Sequence, residues 1–368
     1  MASQKKDKIN SKHIEFLNLA FEQAKINLGS TKTNPSVGCV VEKNGSIISS
    51  GCTSFNGYPH AEFNALNKNL NFKNSNIYIT LEPCTHYGKT PPCTNIIIRK
   101  KPKNVYYSLD DFDERTTKKA KTLLIKKNIK VNKNLLKNKA LDFYESYQSK
   151  HINKLPLLDA KIALSNDFFT IHKEKKWITN QYSRSIGHLL RSRYECIITT
   201  SETLNKDNAI LNCRIKGLEN KTPDLIIVDR KLKIKKTLSI FKNEQISRKI
   251  IIFTYSNNLK RLPNFFKKNN IKLYGITKNK NEKKEIISII EILKKRGYTR
   301  LFVEAGLKFI SFLIKEKIIK YLYIFKSNIR LNSKGKNNFS VNYIKNIKLK
   351  NKQNVFLFGD KLFKEKIR

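Results

Sequence analysis

Twice along the chain, short runs rich in β-branched and aromatic residues alternate with amphipathic helical stretches, which restricts the fold to layered α/β units. In the first half, residues 12–28 place Leu17, Ala20, Phe21, Ala24 and Leu28 at helical spacing, with Ser11 as the expected N-cap and Gly29 as the stop. Val37–Val41 and Ile47–Ser50 flank Asn44-Gly45, a dipeptide that tolerates the positive φ angles of a tight hairpin. His60–Lys68 reads as a helix, Asn76–Leu81 as a strand, Cys93–Lys100 as a helix, Val105–Leu109 as a strand and Leu135–Tyr147 as a helix. The polar stretch Ser149–Pro156 suits a boundary between domains at 1–150 and 151–368. Beyond it, strands are expected at 158–164, 196–200, 225–228, 250–254, 301–304 and 321–325, and helices at 181–193, 283–295 and 307–315. The Lys- and Asn-rich stretch 332–352 gives no clear pattern, and no fixed-period repeat is present.

A length of 368 residues fits two domains, and an apolar fraction of 39% is enough for packed cores. No stretch approaches 18 consecutive apolar residues, so no membrane partner is expected. The first seven residues lack the apolar core of a signal peptide, and Asp7 argues against a transit peptide, so the expected compartment is the cytoplasm. The six cysteines are then expected to be reduced. A net charge of +45 suggests a phosphate-rich partner, because clustered Lys and Arg release counterions from nucleic acid. Here the lysines are spread along the whole length beside Asn and Ile, as in Lys126-Lys127-Asn128-Ile129-Lys130. That pattern fits the compositional drift of an AT-rich genome, and no nucleic-acid partner is expected.

Two of the cysteines have informative neighbours. Pro59-His60-Ala61-Glu62 is followed by Leu81-Glu82-Pro83-Cys84 and then Pro91-Pro92-Cys93, the order of a histidine-x-glutamate, proline-cysteine and second cysteine used by zinc nucleobase deaminases. His60, Cys84 and Cys93 are the expected metal ligands. One imidazole and two thiolates leave the fourth position of a tetrahedral zinc open to water, whose pKa falls to about 7 there. Glu62 is the expected catalytic residue, a carboxylate that moves the water proton to the ring nitrogen and then to the departing ammonia. Any one of these residues alone reads as ordinary structure; the ordered set does not. His86, two residues from Cys84, is expected to line the pocket rather than to ligate.

Asn34-Pro35-Ser36-Val37-Gly38-Cys39-Val40, His60-Ala61-Glu62 and the run from Thr80 to Cys93 together closely resemble the bifunctional riboflavin-biosynthesis deaminase/reductase family. The eight residues between Cys84 and Cys93 separate it from cytidine and tRNA adenosine deaminases, where the gap is two. The resemblance implies a cytidine-deaminase-like three-layer N-terminal domain that hydrolyses the 2-amino group of a phosphorylated diaminopyrimidine, with Asn34 and Lys89 contacting that substrate. Taken by themselves, Asn34 reads as a turn residue and Lys89 as a solvated charge.

The resemblance continues through Lys161-Ile162-Ala163-Leu164-Ser165, Trp177, His188-Leu189-Leu190-Arg191, Thr203 with Asp207, Leu211 with Arg214, and Glu304-Ala305-Gly306. It implies a dihydrofolate-reductase-like α/β domain that uses NADPH to reduce the ribosyl to a ribityl side chain. Lys161, Arg191, Leu211, Arg214 and Glu304 would meet the substrate; Ala163, Trp177, Thr203, Asp207 and Gly306 would meet the cofactor. Residue by residue, Lys161, Arg191 and Arg214 suit a phosphate or polar chain, and Gly306 opens a helix whose N–H groups face an anion. Asp207 reads equally as a turn aspartate, and Trp177 either stacks near the nicotinamide or fills the core. A dimer through the reductase half is the family's common arrangement.

Several positions depart from the family pattern. Thr53 stands where a substrate-holding histidine is usual, Lys175 where a substrate-binding serine is, Ala209 where proline follows Asp207, and Arg230 where a serine lies near the cofactor. Asn166-Asp167-Phe168 replaces a Leu-Asp-Gly turn, and the loss of glycine predicts that this loop bends without a positive φ. Three readings follow. The leading one is deamination and then reduction of one pyrimidine intermediate; a second keeps the deaminase over an inactive scaffold domain; a third is a basic nucleic-acid-binding or RNA-editing deaminase, for which no clustered aromatic and basic stripe is present.

Overall fold

Asn44 and Gly45 take φ of 54° and 84°, so the turn between the first two strands forms as its residue types dictate. The computed structural model describes residues 2–152, 154–242, 248–261, 263–267 and 271–368. Its contacts separate into two compact units, Met1–Lys154 and Leu155–Arg368.

The first unit opens with α1 (Ala2–Lys25), then β1 (Gly38–Lys43), β2 (Ser46–Cys52), α2 (Ala61–Leu66), β3 (Asn76–Ile79), α3 (Cys93–Lys100), β4 (Asn104–Tyr107), α4 (Ala120–Ile125), β5 (Lys130–Lys133), α5 (Lys137–Phe143) and α6 (Glu145–His151). The sheet order is β2-β1-β3-β4-β5, with β1 antiparallel to β2 and β3, and β3, β4 and β5 parallel. Alternation along the strands sorts the core into two layers. Cys39, Val41, Ile77, Ile79, Val105 and Tyr107 pack with Ala61 and Ala65 of α2 and Ile97 of α3, while Val40, Tyr78 and Tyr106 pack with Leu17 and Ala20 of α1. Close approach is built in: a Cβ at Gly38 would lie 1.8 Å from the Ala20 carbonyl oxygen, and one at Gly51 would lie 2.6 Å from the backbone of α2.

The second unit runs β6 (Leu157–Leu164), β7 (Ile171–His172), α7 (Gln181–Arg191), β8 (Cys196–Thr200), α8 (Ser201–Asp207), β9 (Asp224–Val228), α9 (Ser239–Lys242), β10 (Ile250–Tyr255), β11 (Ile271–Ile276), α10 (Glu282–Lys295), β12 (Arg300–Val303), α11 (Leu307–Lys315), β13 (Tyr321–Lys326), β14 (Gly335–Lys336), α12 (Asn342–Lys345) and β15 (Lys361–Lys366). Its main sheet has the order β11-β10-β9-β8-β12-β6-β13-β15, and every pair is parallel except β13 with β15. Leu225–Val228 and Ile250–Phe253 are apolar throughout because both faces are covered. No helix among the described residues is long and apolar enough to cross a membrane.

Four expectations need correction. The first helix starts at Ala2, not after a Ser11 cap, since nothing between Ser3 and Lys12 interrupts a helix. The helix expected over 135–147 is two helices with their joint at Tyr144, whose hydroxyl reaches the Ser36 carbonyl and the Thr80 hydroxyl and whose backbone leaves helical ψ. α4, β5, α8, β11 and β15 were not anticipated, and 332–352 contains a turn of 3-10 helix, β14 and α12.

The fourth is the loop after β6. Phe168 adopts φ 67°, the left-handed conformation that glycine would take without cost. The conformation is imposed from both sides: Asp167 accepts from the N–H groups of Leu331 and Asn332, and Asn337 Nδ2 donates to the Phe168 carbonyl at 3.0 Å. The ring lies under Lys326, whose Nζ is 4.5 Å from its centroid. A side chain held left-handed costs roughly 1–2 kcal/mol. Phe168→Ala keeps that strain and loses the ring, whereas Phe168→Gly loses the ring alone. Thermal unfolding is therefore expected to rank the glycine variant above the alanine variant by about 1 kcal/mol. The reverse order would mean that the loop does not hold residue 168 left-handed.

Candidate active sites

His60 ends an extended segment as the N-cap of α2, Cys84 follows β3, and Cys93 is the first residue of α3. These three elements converge so that His60 Nδ1 lies 3.6 Å from Cys84 Sγ and 3.4 Å from Cys93 Sγ. All three donor atoms fall within 4.8 Å of one another. Zinc–nitrogen and zinc–sulfur bonds of about 2.05 and 2.3 Å at tetrahedral angles place the two donors roughly 3.5 Å apart, so the set fits zinc. The electrostatics agree. Hydrogen bonds, first from the Cys93 thiol and then from His60 and the Cys93 backbone N–H, hold the Cys84 thiol down at about 4, and the same contact raises Cys93. The thiolate is the form of cysteine that ligates a metal.

Glu62, in the first turn of α2, is only 3% exposed, and burial followed by the charge of Cys84 raises its pKa to about 7. Asn34 Nδ2 donates to the Gly57 carbonyl at 2.9 Å and lies 3.5 Å from His60 Nε2, so Asn34 borders the ligand histidine on the side away from the thiols. Lys89 is exposed, 5.8 Å from the centroid of Tyr58, which in turn stacks on His60. Thr53 holds the backbone before β1. It is buried, and its Oγ1 accepts from the Val37 N–H at 2.9 Å. His86 turns to Thr116 at 2.9 Å and is not among the grouped donors.

In the sequence, Glu82 stands within the cysteine motif with no role of its own. Its carboxylate accepts from the backbone N–H groups of Asp111, Lys118 and Ala120, pinning the loop that carries Thr116. A buried acid two residues before a candidate ligand is the signal that could have found it.

In the second unit, Lys161 on β6, Arg191 on α7 and Glu304 at the end of β12 meet beside the carboxyl ends of parallel strands, where α/β sheets bind ligands. Arg191 Nε and Nη2 grip Glu304 at 2.5 and 2.9 Å, and Lys161 Nζ stands 3.9 Å away. Burial raises the Glu304 carboxyl, but Arg191 and then Lys161 outweigh it and leave a pKa of about 2. Burial also lowers Lys161. The expectation that the fork of Arg191 is open to a phosphate is thus corrected: Glu304 takes one edge, and Nη1 donates to the Asn212 carbonyl.

The other residues expected there spread around this cluster. Thr203 Oγ1 accepts the Gly306 N–H at 3.0 Å, so that N–H is not open to a cofactor phosphate, although Gly306 still caps α11. Ala163 lies partly buried on β6, and Asp207 is the exposed last residue of α8. Leu211 is buried with φ 55°, and its carbonyl accepts from Arg248 Nη1, while Nη2 reaches Ile210. Arg248 could not be found by sequence, as one of 74 basic residues. Trp177 does not fill the core: it is 51% exposed, with Lys176 and Arg184 over its ring. Lys175 is exposed, Ala209 packs against the core, and Arg230 turns onto Glu285 at 2.7 Å.

Residues 10–109 match the cytidine and deoxycytidylate deaminase zinc-binding region, and residues 158–353 match the RibD C-terminal domain. The riboflavin biosynthesis protein RibD of Bacillus amyloliquefaciens is 30% identical over 294 residues, spanning 79% of this chain and 78% of that protein. The chain belongs to the RibD family. RibD of Aquifex aeolicus is 30% identical over 313 residues, spanning 84% of this chain and 85% of its own length. The solved deaminase/reductase of Thermotoga maritima has a TM-score of 0.78 at 26% identity, covering 98% of this chain and 99% of that one. Acinetobacter baumannii RibD, form 1, gives 0.75 at 25%, covering 96% and 98%. The cytidine-deaminase-like first unit and the RibD reductase second unit therefore form a riboflavin-biosynthesis enzyme that deaminates and reduces, with a zinc-binding half and a half that implies a nicotinamide cofactor.

Proposed function

We propose that the chain hydrolyses 2,5-diamino-6-(5-phosphoribosylamino)pyrimidin-4(3H)-one to the corresponding uracil, with release of ammonia, and then reduces the ribosyl to a ribityl chain with NADPH. The observation that carries the first step is the grouping of His60, Cys84 and Cys93 with the buried carboxylate of Glu62 close by. His60, Cys84 and Cys93 would hold a zinc ion, which would supply Lewis acidity to the attacking water. Glu62 takes one proton from the attacking water and delivers it to the ring nitrogen, then carries the second, from the hydroxyl of the adduct, to the leaving amine. Asn34 and Lys89 hold the substrate. In the second step, Lys161, Glu304, Leu211 and Arg214 bind the deaminated intermediate, with Arg191 fixing Glu304, while Ala163, Trp177, Thr203, Asp207 and Gly306 border the cofactor.

The reductase is taken as active because its buried charges are intact: Lys161, Arg191 and Glu304 form one cluster, and the departures at 175, 209 and 230 lie outside it. A cytoplasmic enzyme with its cysteines as thiols, and the homodimer common in the family, are inferred for it. The test is a pair of assays on one preparation. Ammonia release from the diamino substrate is expected to vanish on zinc removal by a chelator and to return with added zinc. Nicotinamide absorbance with the deaminated intermediate and NADPH is expected to fall at the same rate before and after chelation. Ammonia release indifferent to chelation would remove the metal from the reaction, and static nicotinamide absorbance would reduce the second unit to a scaffold.

A further inference from the structure

Three cations surround the reductase cluster, and two are committed. Arg191 serves Glu304 and Asn212, and Lys161 stands beside Glu304. The third, Arg214, is exposed, and no acidic side chain pairs with it among the described residues. Its guanidinium is nevertheless not left to rotate. His188 lies three residues before Arg191 on α7, on the same helix face, and points into the loop that carries Asn212 and Arg214.

His188 Nδ1 faces the Asn212 carbonyl oxygen at 2.9 Å and, at 3.3 Å, the Arg214 backbone N–H and Arg191 Nη1; the shortest contact is to an atom that only accepts, and it assigns the hydrogen to Nδ1. Nε2 of the neutral ring then has a lone pair, and Arg214 Nε and Nη2 both lie 3.3 Å from it. Burial and the charge of Arg191 hold His188 down at about 4, which keeps that lone pair available at neutral pH. A guanidinium has five N–H donors. With one edge turned to the imidazole, the opposite edge presents the rest to a ligand.

We propose that His188 is a positioning residue that aims the guanidinium of Arg214 at the anionic group of the reductase substrate. The proposal rests on the assignment of Arg214 to that substrate, and the experiment separates the two. His188→Asn keeps an amide donor near the Nδ1 position and removes the acceptor for Arg214; His188→Gln puts an acceptor back near Nε2. In steady-state reduction of the deaminated intermediate by NADPH, His188→Asn is expected to raise KM about tenfold with kcat within about twofold, and His188→Gln to restore most of the loss. Arg214→Ala is expected to raise KM as well, and adding His188→Asn to it should change nothing more. Ammonia release by the same preparations reports that the chain is intact, and His188→Leu serves where the Asn variant does not fold. An equal KM penalty for His188→Asn with and without Arg214, or no recovery with Gln, would overturn the positioning role. An unchanged KM for Arg214→Ala would overturn the substrate assignment itself.

Discussion

Replacing Glu62 by Gln is expected to slow ammonia release by roughly a hundred- to ten-thousand-fold, the usual weight of a positioned general acid–base group. The amide has the shape of the carboxylate and fills the same buried place in the first turn of α2, but it cannot accept a proton from water and pass it on. The loss should fall on kcat with little change in KM, because a group that acts only as the proton moves adds nothing to ground-state binding. Zinc content should stay that of the wild type, since Glu62 is not among the three grouped donors. Reduction of supplied deaminated intermediate should continue. A variant that still released ammonia at half the normal rate would remove Glu62 from the proton path, and one that lost its metal would make it a ligand instead.

This part of the site was legible because the chemistry is written in short spacings. His60 and Glu62 share one helix start, and Cys93 opens a helix whose bounds, Cys93–Lys100, agree with the apolar pattern. What the pattern hid was mostly lysine. β5 is Lys130–Lys133, with only Val131 apolar, and β15 is Lys361–Lys366, an edge strand of the kind that carries charge to block further pairing. The left-handed Phe168 was out of reach for another reason. Its conformation is set by Leu331, Asn332 and Asn337, which no local pattern connects to it.

The charge of +45 looks different once burial is known. Most of the 74 basic side chains belong to the solvated surface and carry no information about a partner. The ones that matter are those the fold takes out of water. Arg191 and Lys161 meet Glu304, and Arg248 holds the carbonyls of Ile210 and Leu211, with its own pKa pushed down to about 10 by burial and by Arg191. The buried charges of the second unit are thus a few side chains that composition conceals.

Removing one partner of the tightest pair is accordingly expected to have the second large effect. Arg191→Met leaves the Glu304 carboxylate, 8% exposed, with only Lys161 at 3.9 Å for compensation. Breaking a buried pair in this way costs roughly 3–5 kcal/mol, and reduction of the intermediate should be lost with it. Arg191→Lys keeps the charge but not the two-pronged grip, and should fall between the variant and wild type. Trp177 is the sole tryptophan and lies in the second unit, so denaturant unfolding followed by its fluorescence reads that unit alone. Acid supplies an independent check. Glu304 has a folded pKa of about 2 against an ordinary value of 4.5, so its contribution is fully present above the ordinary value and is lost as pH falls toward the folded one. The gap corresponds to about 3 kcal/mol. Wild type should therefore lose stability between about pH 4.5 and 2 more steeply than Arg191→Met, in which the depressed pKa no longer exists. Parallel acid profiles for the two chains would mean that Arg191 does not hold Glu304 ionised.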